Sequence, residues 1–293
     1  MTNNTDTTPS TQHRTQHIAL PDVRTVAVEE YGRHEGAPVL FLGAAPSSRL
    51  LDPSPEATGS AGVRLFTVDR PGYGESTPYE AGHAPSWAGL ADDLAAVLKE
   101  LGVAKVSVVG WSNGGIGALA FAARHPEFVA RVVVVGSPAP HEEVAWIPEE
   151  FQPFLAQLRE DPPNAVAALA PVMGATPADA VANLGGGVDD ERTLGELDNR
   201  ARLEAMLAEA YRQGGIGVAT DIVATNVVPW GFELRDVEAP VTLLYGAGDA
   251  IISAAHGEWY ASRLPRAKLE VVEGTGHLLP LTHWARVLEA ALD

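Results

Sequence analysis

The chain has 293 residues, no cysteine, 46% hydrophobic residues and a formal net charge of −18. That length and apolar content support an enzyme-sized core, and the absence of cysteine excludes disulfides, thiolate metal sites and cysteine nucleophiles. An acidic surface repels phosphate backbones and anionic lipid, so neither nucleic acid nor a membrane is expected as a partner.

The opening "MTNNTDTTPSTQHRTQH" is polar and has no apolar stretch to serve as a signal-peptide core. Residues 1–19 are therefore read as a disordered tail, and the protein as cytoplasmic. No later segment offers about 18 uninterrupted apolar residues, which excludes a spanning helix. Apolar runs at 37–45, 62–70, 104–110, 130–137 and 240–246 suit parallel strands covered on both faces. Trp87, Leu90, Leu94, Val97, Leu98 and Leu101 share one helical face that Gly102 ends, and a second helix is expected from Asn113 to about Arg124. Residues 139–236 break the alternation. Their helix-like patches, around Phe151, Phe154, Leu203 and Met206, read as a helical insertion with turns at 161–164 ("DPPN") and 184–190 ("LGGGVDD"). A last strand-like run, "LEVVE", and a helix carrying Leu281, Trp284, Leu288 and Leu292 close the chain. The whole predicts a mostly parallel α/β sheet with helices on both faces, built from 20–138 and 237–293.

Within that frame, Gly110-Trp111-Ser112-Asn113-Gly114 fits G-x-S-x-G where a buried strand hands over to a helix. The glycines let neighbouring backbone pass without a Cβ clash, and the serine hydroxyl stands free at the apex of the turn. A serine alone is a weak nucleophile, so an imidazole base and a carboxylate should follow it in the chain. His277, in the loop "GTGHLLP", is the candidate base. His283, on the final helix, and His125, at the end of the helix after the serine, are less well placed. Asp249, in the glycine-rich turn "YGAGDAIIS" after a strand, is the candidate acid, with Glu142 and Glu143 as competitors. An oxyanion needs about two preorganised N–H donors. Asn113 supplies one, and Ala44 the other, with Ala45 as the alternative because Pro46 has no N–H.

The loop "FLGAAPSSR", the turn "DRPGYGES", the elbow "GWSNGG" and the pair "GAGD" and "GTGH" occur in an order that resembles the α/β-hydrolase superfamily from about residue 20 to 293. The resemblance implies Ser112 as nucleophile, Asp249 as acid, His277 as base, and Ala44 and Asn113 as oxyanion donors. It also implies that 139–236 form a cap over the site. One departure is Leu42-Gly43 where many members have His-Gly, with the following proline displaced by one residue to Pro46. Members that open epoxides or displace halide carry aspartate at the elbow, and Ser112 speaks against both.

The expected function is a serine hydrolase of a carboxylic ester or lactone with a small, moderately apolar substrate. The alternatives are a secondary-metabolism tailoring enzyme using the same triad for cyclisation, lactonisation or carbon–carbon cleavage, and a non-catalytic ligand-binding protein. Trp111, Tyr73, Trp146, Phe154 and Trp230 are candidate pocket residues, whereas Asp69 and Arg70 are expected to fix their own turn. No histidine–carboxylate cluster has metal-ligand spacing and no phosphate loop is present, so no metal or organic cofactor is expected.

Overall fold

The structure, a computed structural model, describes residues 14–196 and 198–293. In chain order its elements are β1 (Gln16–Ala19), β2 (Thr25–Gly32), β3 (Ala37–Leu42), α1 (Pro55–Ala61), β4 (Val63–Val68), α2 (Trp87–Glu100), β5 (Val106–Trp111), α3 (Asn113–Arg124) and β6 (Val129–Val135). An insertion follows, comprising α4 (Gln152–Glu160), α5 (Pro162–Leu169), α6 (Pro177–Leu184), α7 (Val188–Gly195), α8 (Asn199–Ala210) and α9 (Ile216–Asn226). The chain then returns to the sheet through β7 (Val241–Gly246), α10 (Ala254–Ala261), β8 (Ala267–Val272) and α11 (Leu279–Leu292).

The strands form one sheet in the order β1-β2-β4-β3-β5-β6-β7-β8. β2 runs antiparallel to β1 and β4, and every other pairing is parallel. All of β5 is buried, as a continuous apolar run covered on both faces requires. Two clusters of buried side chains sandwich the sheet. Trp87, Leu94, Leu119 and Tyr260 lie in one, and Leu51, Trp284 and Leu288 lie in the other. Local signals set the helix ends: the Ser86 side chain accepts from Gly89 N–H at 3.1 Å to start α2, and Gly102, at φ +68°, turns the chain after it.

The N-terminal expectation needs correction. Gln16–Ala19 form β1, in register with β2 through His17↔Ala27 and Ile18↔Val26. The apolar side chains of Ile18 and Leu20 are buried in the core, and this outweighs the polar composition upstream. Residues 1–13 lie outside the described residues. β2 was not among the expected strands because Glu29 and Glu30 interrupt its apolar run. The Arg64 guanidinium, on the neighbouring β4, bonds the Glu30 carboxylate at 2.8 and 3.0 Å. "DPPN" is not a free turn, since Pro162 and Pro163 open α5, where a missing N–H costs no hydrogen bond. Similarly, Asp189 and Asp190 lie in the first turn of α7, not in a loop.

The insertion is joined to the sheet. Leu155, Leu158, Leu169 and Val223 form its own cluster, but Val181, Leu184, Leu203, Met206 and Leu207 join the buried cluster that holds Trp111 and Leu278. Among the described residues no single helix is long and apolar enough to cross a membrane.

Candidate active site

Ser112 is the residue between β5 and α3, with φ 54° and ψ −128°. A non-glycine residue in that region stores about 1–3 kcal/mol of strain unless its surroundings hold it. They do so here: Ser112 N–H donates to Val135 O at 2.8 Å, its carbonyl accepts from Gly115 N–H at 2.9 Å, and the Ser137 hydroxyl donates to the same carbonyl. The elbow glycines are required by close approach. A Cβ on Gly110 would meet the backbone of Gly114 and Gly115, and one on Gly114 would meet the carbonyl oxygens of Leu42 and Gly43.

Asp249 and His277 come from the turns after β7 and β8. His277 Nδ1 and Asp249 Oδ2 are 2.7 Å apart, with both side chains almost wholly buried. Asp249 Oδ1 also accepts from the N–H groups of Ile251 and Ile252 at 2.9 and 2.7 Å, which fixes the carboxylate. Because Nδ1 faces the carboxylate, Nε2 is the ring atom left for a hydroxyl. The pair stands over the end of β6, where a Cβ on Gly136 would lie 3.4 Å from both Asp249 Oδ2 and His277 Nδ1. Ser112 is anchored to that same strand end through Val135. The sequence-expected competitors lie elsewhere: His125 pairs with Asp92, His283 sits on α11, Glu142 pairs with Arg159 and Glu143 with Arg263.

The two residues expected to supply oxyanion N–H groups follow β3 and β5, which are neighbours in the sheet. Asn113 opens α3, so its N–H has no acceptor within the helix. Ala44 follows β3 and is buried. Arg70 sets its orientation, donating through Nη1 to Gly43 O at 2.8 Å and through Nη2 to Ala44 O at 2.7 Å. In a trans peptide the N–H points opposite to the carbonyl, so holding Gly43 O turns Ala44 N–H away from Arg70. Holding Ala44 O does the same for Ala45 N–H. The Arg70 guanidinium is itself buried against Asp221 of α9, at 2.6 Å, and the Tyr73 hydroxyl donates to that carboxylate at 2.9 Å. Burial pulls against the charge on Arg70, but the Asp221 carboxylate outweighs it and raises the guanidinium pKa. Burial, and then Asp221, hold the Tyr73 phenol well above its ordinary value, so it serves as a neutral donor. Asp69 does fix its turn, accepting from Arg49 N–H at 2.6 Å and Glu75 N–H at 3.0 Å.

Of the candidate pocket residues, Trp111 touches the pair directly and the others lie in different surroundings. Trp111 is fully buried, with its indole N–H donating to His277 O at 2.8 Å. Tyr73 is likewise buried, among Ala210, Val218 and Met173. Trp146 donates to Ala139 O, while Trp230 stacks on Phe232 and Tyr260 and lines a cavity of about 370 Å³ with Pro140 and Arg159. Phe154 is 37% exposed. Aromatic residues in an amphipathic insertion are claimed by helix packing or left at its outer surface, and composition cannot separate those positions from a pocket wall.

The α/β-hydrolase fold family model matches residues 37–283. The chain belongs to that family. This α/β-hydrolase is 34% identical, over 76% of its length and 84% of the relative's, to a pimeloyl-acyl-carrier protein methyl ester esterase of Aromatoleum aromaticum. It is 28% identical, over 81% and 78% of the two chains, to a 2-hydroxy-6-oxononadienedioate/2-hydroxy-6-oxononatrienedioate hydrolase of Burkholderia vietnamiensis. Among solved structures, a hydrolase from Pseudomonas aeruginosa shares the fold with a TM-score of 0.72 at 22% identity, over 95% of this chain and 97% of that one.

Two buried titratable residues of this hydrolase, Asp221 and His256, were not singled out by the sequence. Asp221 is the one charged residue within "IGVATDIVATN", and a buried carboxylate needs a cation; that mismatch was the available signal. His256 on α10 is buried, and its Nδ1 accepts from Ala139 N–H at 2.9 Å. Its burial lowers the imidazole pKa to about 4. Nothing local in the sequence distinguished it from a surface histidine.

Proposed function

We propose that this hydrolase cleaves a carboxylic ester or lactone of a small, moderately apolar substrate through an acyl-enzyme on Ser112. Ser112 Oγ attacks the carbonyl carbon while His277 Nε2 takes its proton, and the carbonyl π pair moves to oxygen. Ala44 and Asn113 N–H groups receive that oxyanion. Its collapse expels the alkoxide, which leaves with the proton from His277. Water then gives a proton to His277 and attacks the acyl carbon, and the serine oxygen departs reprotonated. Asp249 orients the imidazole and stabilises its charged form. Residues 139–236 act as the cap that roofs the acyl pocket.

The observation that supports this reading is the buried 2.7 Å contact between His277 Nδ1 and Asp249, together with a serine held at positive φ in the turn after β5. The methyl ester esterase relative supports the choice of an ester. A second reading, hydrolysis of a carbon–carbon bond beside a ketone on the same residues, is favoured by the oxo-dienedioate hydrolase relative. Product analysis on matched ester and oxo-acid substrates separates the two.

The test is intact-mass spectrometry after incubation with a fluorophosphonate, using wild type, Ser112→Ala and His277→Ala. One adduct on wild type, absent in the first variant and greatly slowed in the second, is the expected result. Labelling that survives Ser112→Ala overturns the assignment.

A further inference from the structure

The start of α11 poses a capping problem. Its first residues, in "GTGHLLP", include no side chain that caps the helix, and Leu278 at the N-cap makes no side-chain bond. N–H groups just ahead of a helix need an acceptor when buried, and both His277 and Leu278 are buried here.

The acceptor comes from the insertion. Asp190 of α7, 1% exposed, accepts from His277 N–H at 3.0 Å and Gly186 N–H at 2.9 Å through Oδ2, and from Leu278 N–H at 2.8 Å through Oδ1. A carboxylate at this place also meets the positive end of the α11 dipole. No Lys or Arg pairs with Asp190 among the described residues. The fit is tight, since a Cβ on Gly276 would collide with the Asp190 carboxylate and one on Gly185 would lie 2.9 Å from Asp190 Cβ. Neighbours on α7 grip the same edge. Arg192 donates to Gly274 O at 2.5 Å, and the Asp189 carboxylate packs against Gly248 in the turn that carries Asp249.

We infer that Asp190 is a positioning residue for His277: a carboxylate supplied by the insertion fixes the backbone of the base. Asp190 holds the N–H of His277, Trp111 holds its carbonyl, and Asp249 holds its ring. Removing Asp190 frees the first of these, and the imidazole then samples orientations unsuited to proton transfer. A misplacement on the order of 1 Å costs up to about a hundredfold in rate. The inference rests on the reading of His277 as the base, although the contact itself can be tested without it.

The experiment compares wild type with Asp190→Asn, Asp190→Ala and the control Glu191→Gln, an exposed position on the same helix. Amide hydrogen exchange of residues 274–280 is followed by mass spectrometry, beside urea midpoints, the rate of Ser112 phosphonylation, and kcat and KM on an ester. Asp190→Asn is expected to accelerate exchange at His277 and Leu278 and to slow phosphonylation about tenfold or more, with KM little changed; the control matches wild type. If the alanine variant fails to fold, the asparagine variant, equal in volume and keeping one acceptor oxygen, carries the comparison. Unchanged exchange at 277–278 overturns the contact. Faster exchange with unchanged phosphonylation and kcat overturns the positioning role. If wild type itself is not labelled, the serine-hydrolase reading fails, and the exchange data still decide whether Asp190 caps this loop.

Discussion

The indole N–H of Trp111 donates to the main-chain carbonyl of His277 at 2.8 Å, and the two rings lie 5.9 Å apart between centroids. The residue before the proposed nucleophile thus grips the residue proposed as its base. Trp111→Phe keeps most of the buried ring but leaves that carbonyl without its donor, at a cost of about 1–3 kcal/mol. The expected outcome is a lower urea midpoint together with a kcat reduced about tenfold. Steady-state kinetics on an ester substrate check it, and a kcat equal to wild type would show the contact to be dispensable.

Asp249→Asn preserves the shape of the acid but can no longer stabilise an imidazolium. Its amide nitrogen also has to stand where a carboxylate now faces Nδ1. Loss of kcat by roughly a thousandfold or more is expected, with the fold intact by circular dichroism. Retention of a tenth of wild-type activity would move the acid role to another residue.

Arg70 holds the two carbonyls that turn the Ala44 and Ala45 N–H groups outward. Arg70→Lys keeps a charge for Asp221 but lacks the planar fork that spans Gly43 O and Ala44 O. Disordering one oxyanion donor costs about a hundredfold in kcat. KM should move much less, because the ground-state carbonyl makes weaker use of these donors. An equal effect on KM and kcat, measured on one ester, would instead point to a collapse of the pocket.

His256 predicts a pH effect on stability. Its folded pKa of about 4 lies below the ordinary value near 6.5 of an unfolded chain. As pH falls from 6.5 towards 4 the unfolded chain takes up a proton that the folded one refuses, so stability declines across that window. Below it both states are protonated and the decline stops. The full effect is up to about 3 kcal/mol. His256→Asn, whose side-chain oxygen can still accept from Ala139 N–H, should lack this share of the loss. Urea midpoints of both proteins at pH 7 and 4.5 provide the comparison, and parallel declines would remove His256 from the account.

The turns that carry the candidate site, set by short local signals, were legible in the sequence. Gly110, Ser112 and Gly114 declare a strand-to-helix turn because close backbone packing excludes any Cβ there, and Asp249 and His277 sit in glycine-bearing turns directly after apolar runs. What could not be read depends on contacts between distant segments. Arg70 looked like a turn residue because its role is set by carbonyls after β3 and by an acid on α9. Asp190 sits in "VDDER", which reads as an ordinary acidic first turn, and only the folded chain brings it to α11. β2 was missed because Glu29 and Glu30, adjacent in its apolar run, resemble a solvated segment until Arg64 is seen to hold Glu30 and the Thr15 hydroxyl to donate to the buried Glu29. The lining of a substrate pocket is hard to read from aromatic positions for a related reason. Helix periodicity shows that a side chain is covered, not what covers it.

β6 and β7 are hydrogen-bonded neighbours from Val132↔Val241 to Val135↔Leu244, yet α4 to α9 all lie between them in the chain. Each of those pairings closes a loop that contains the entire insertion, an ordering cost met only once both ends are in place. On the ribosome, Ser112 and its turn emerge well before the strand that leads to Asp249, and His277 comes later still. A nascent or C-terminally truncated chain therefore carries the serine without the histidine proposed as its base, and the three proposed residues come together only after the last strand has docked.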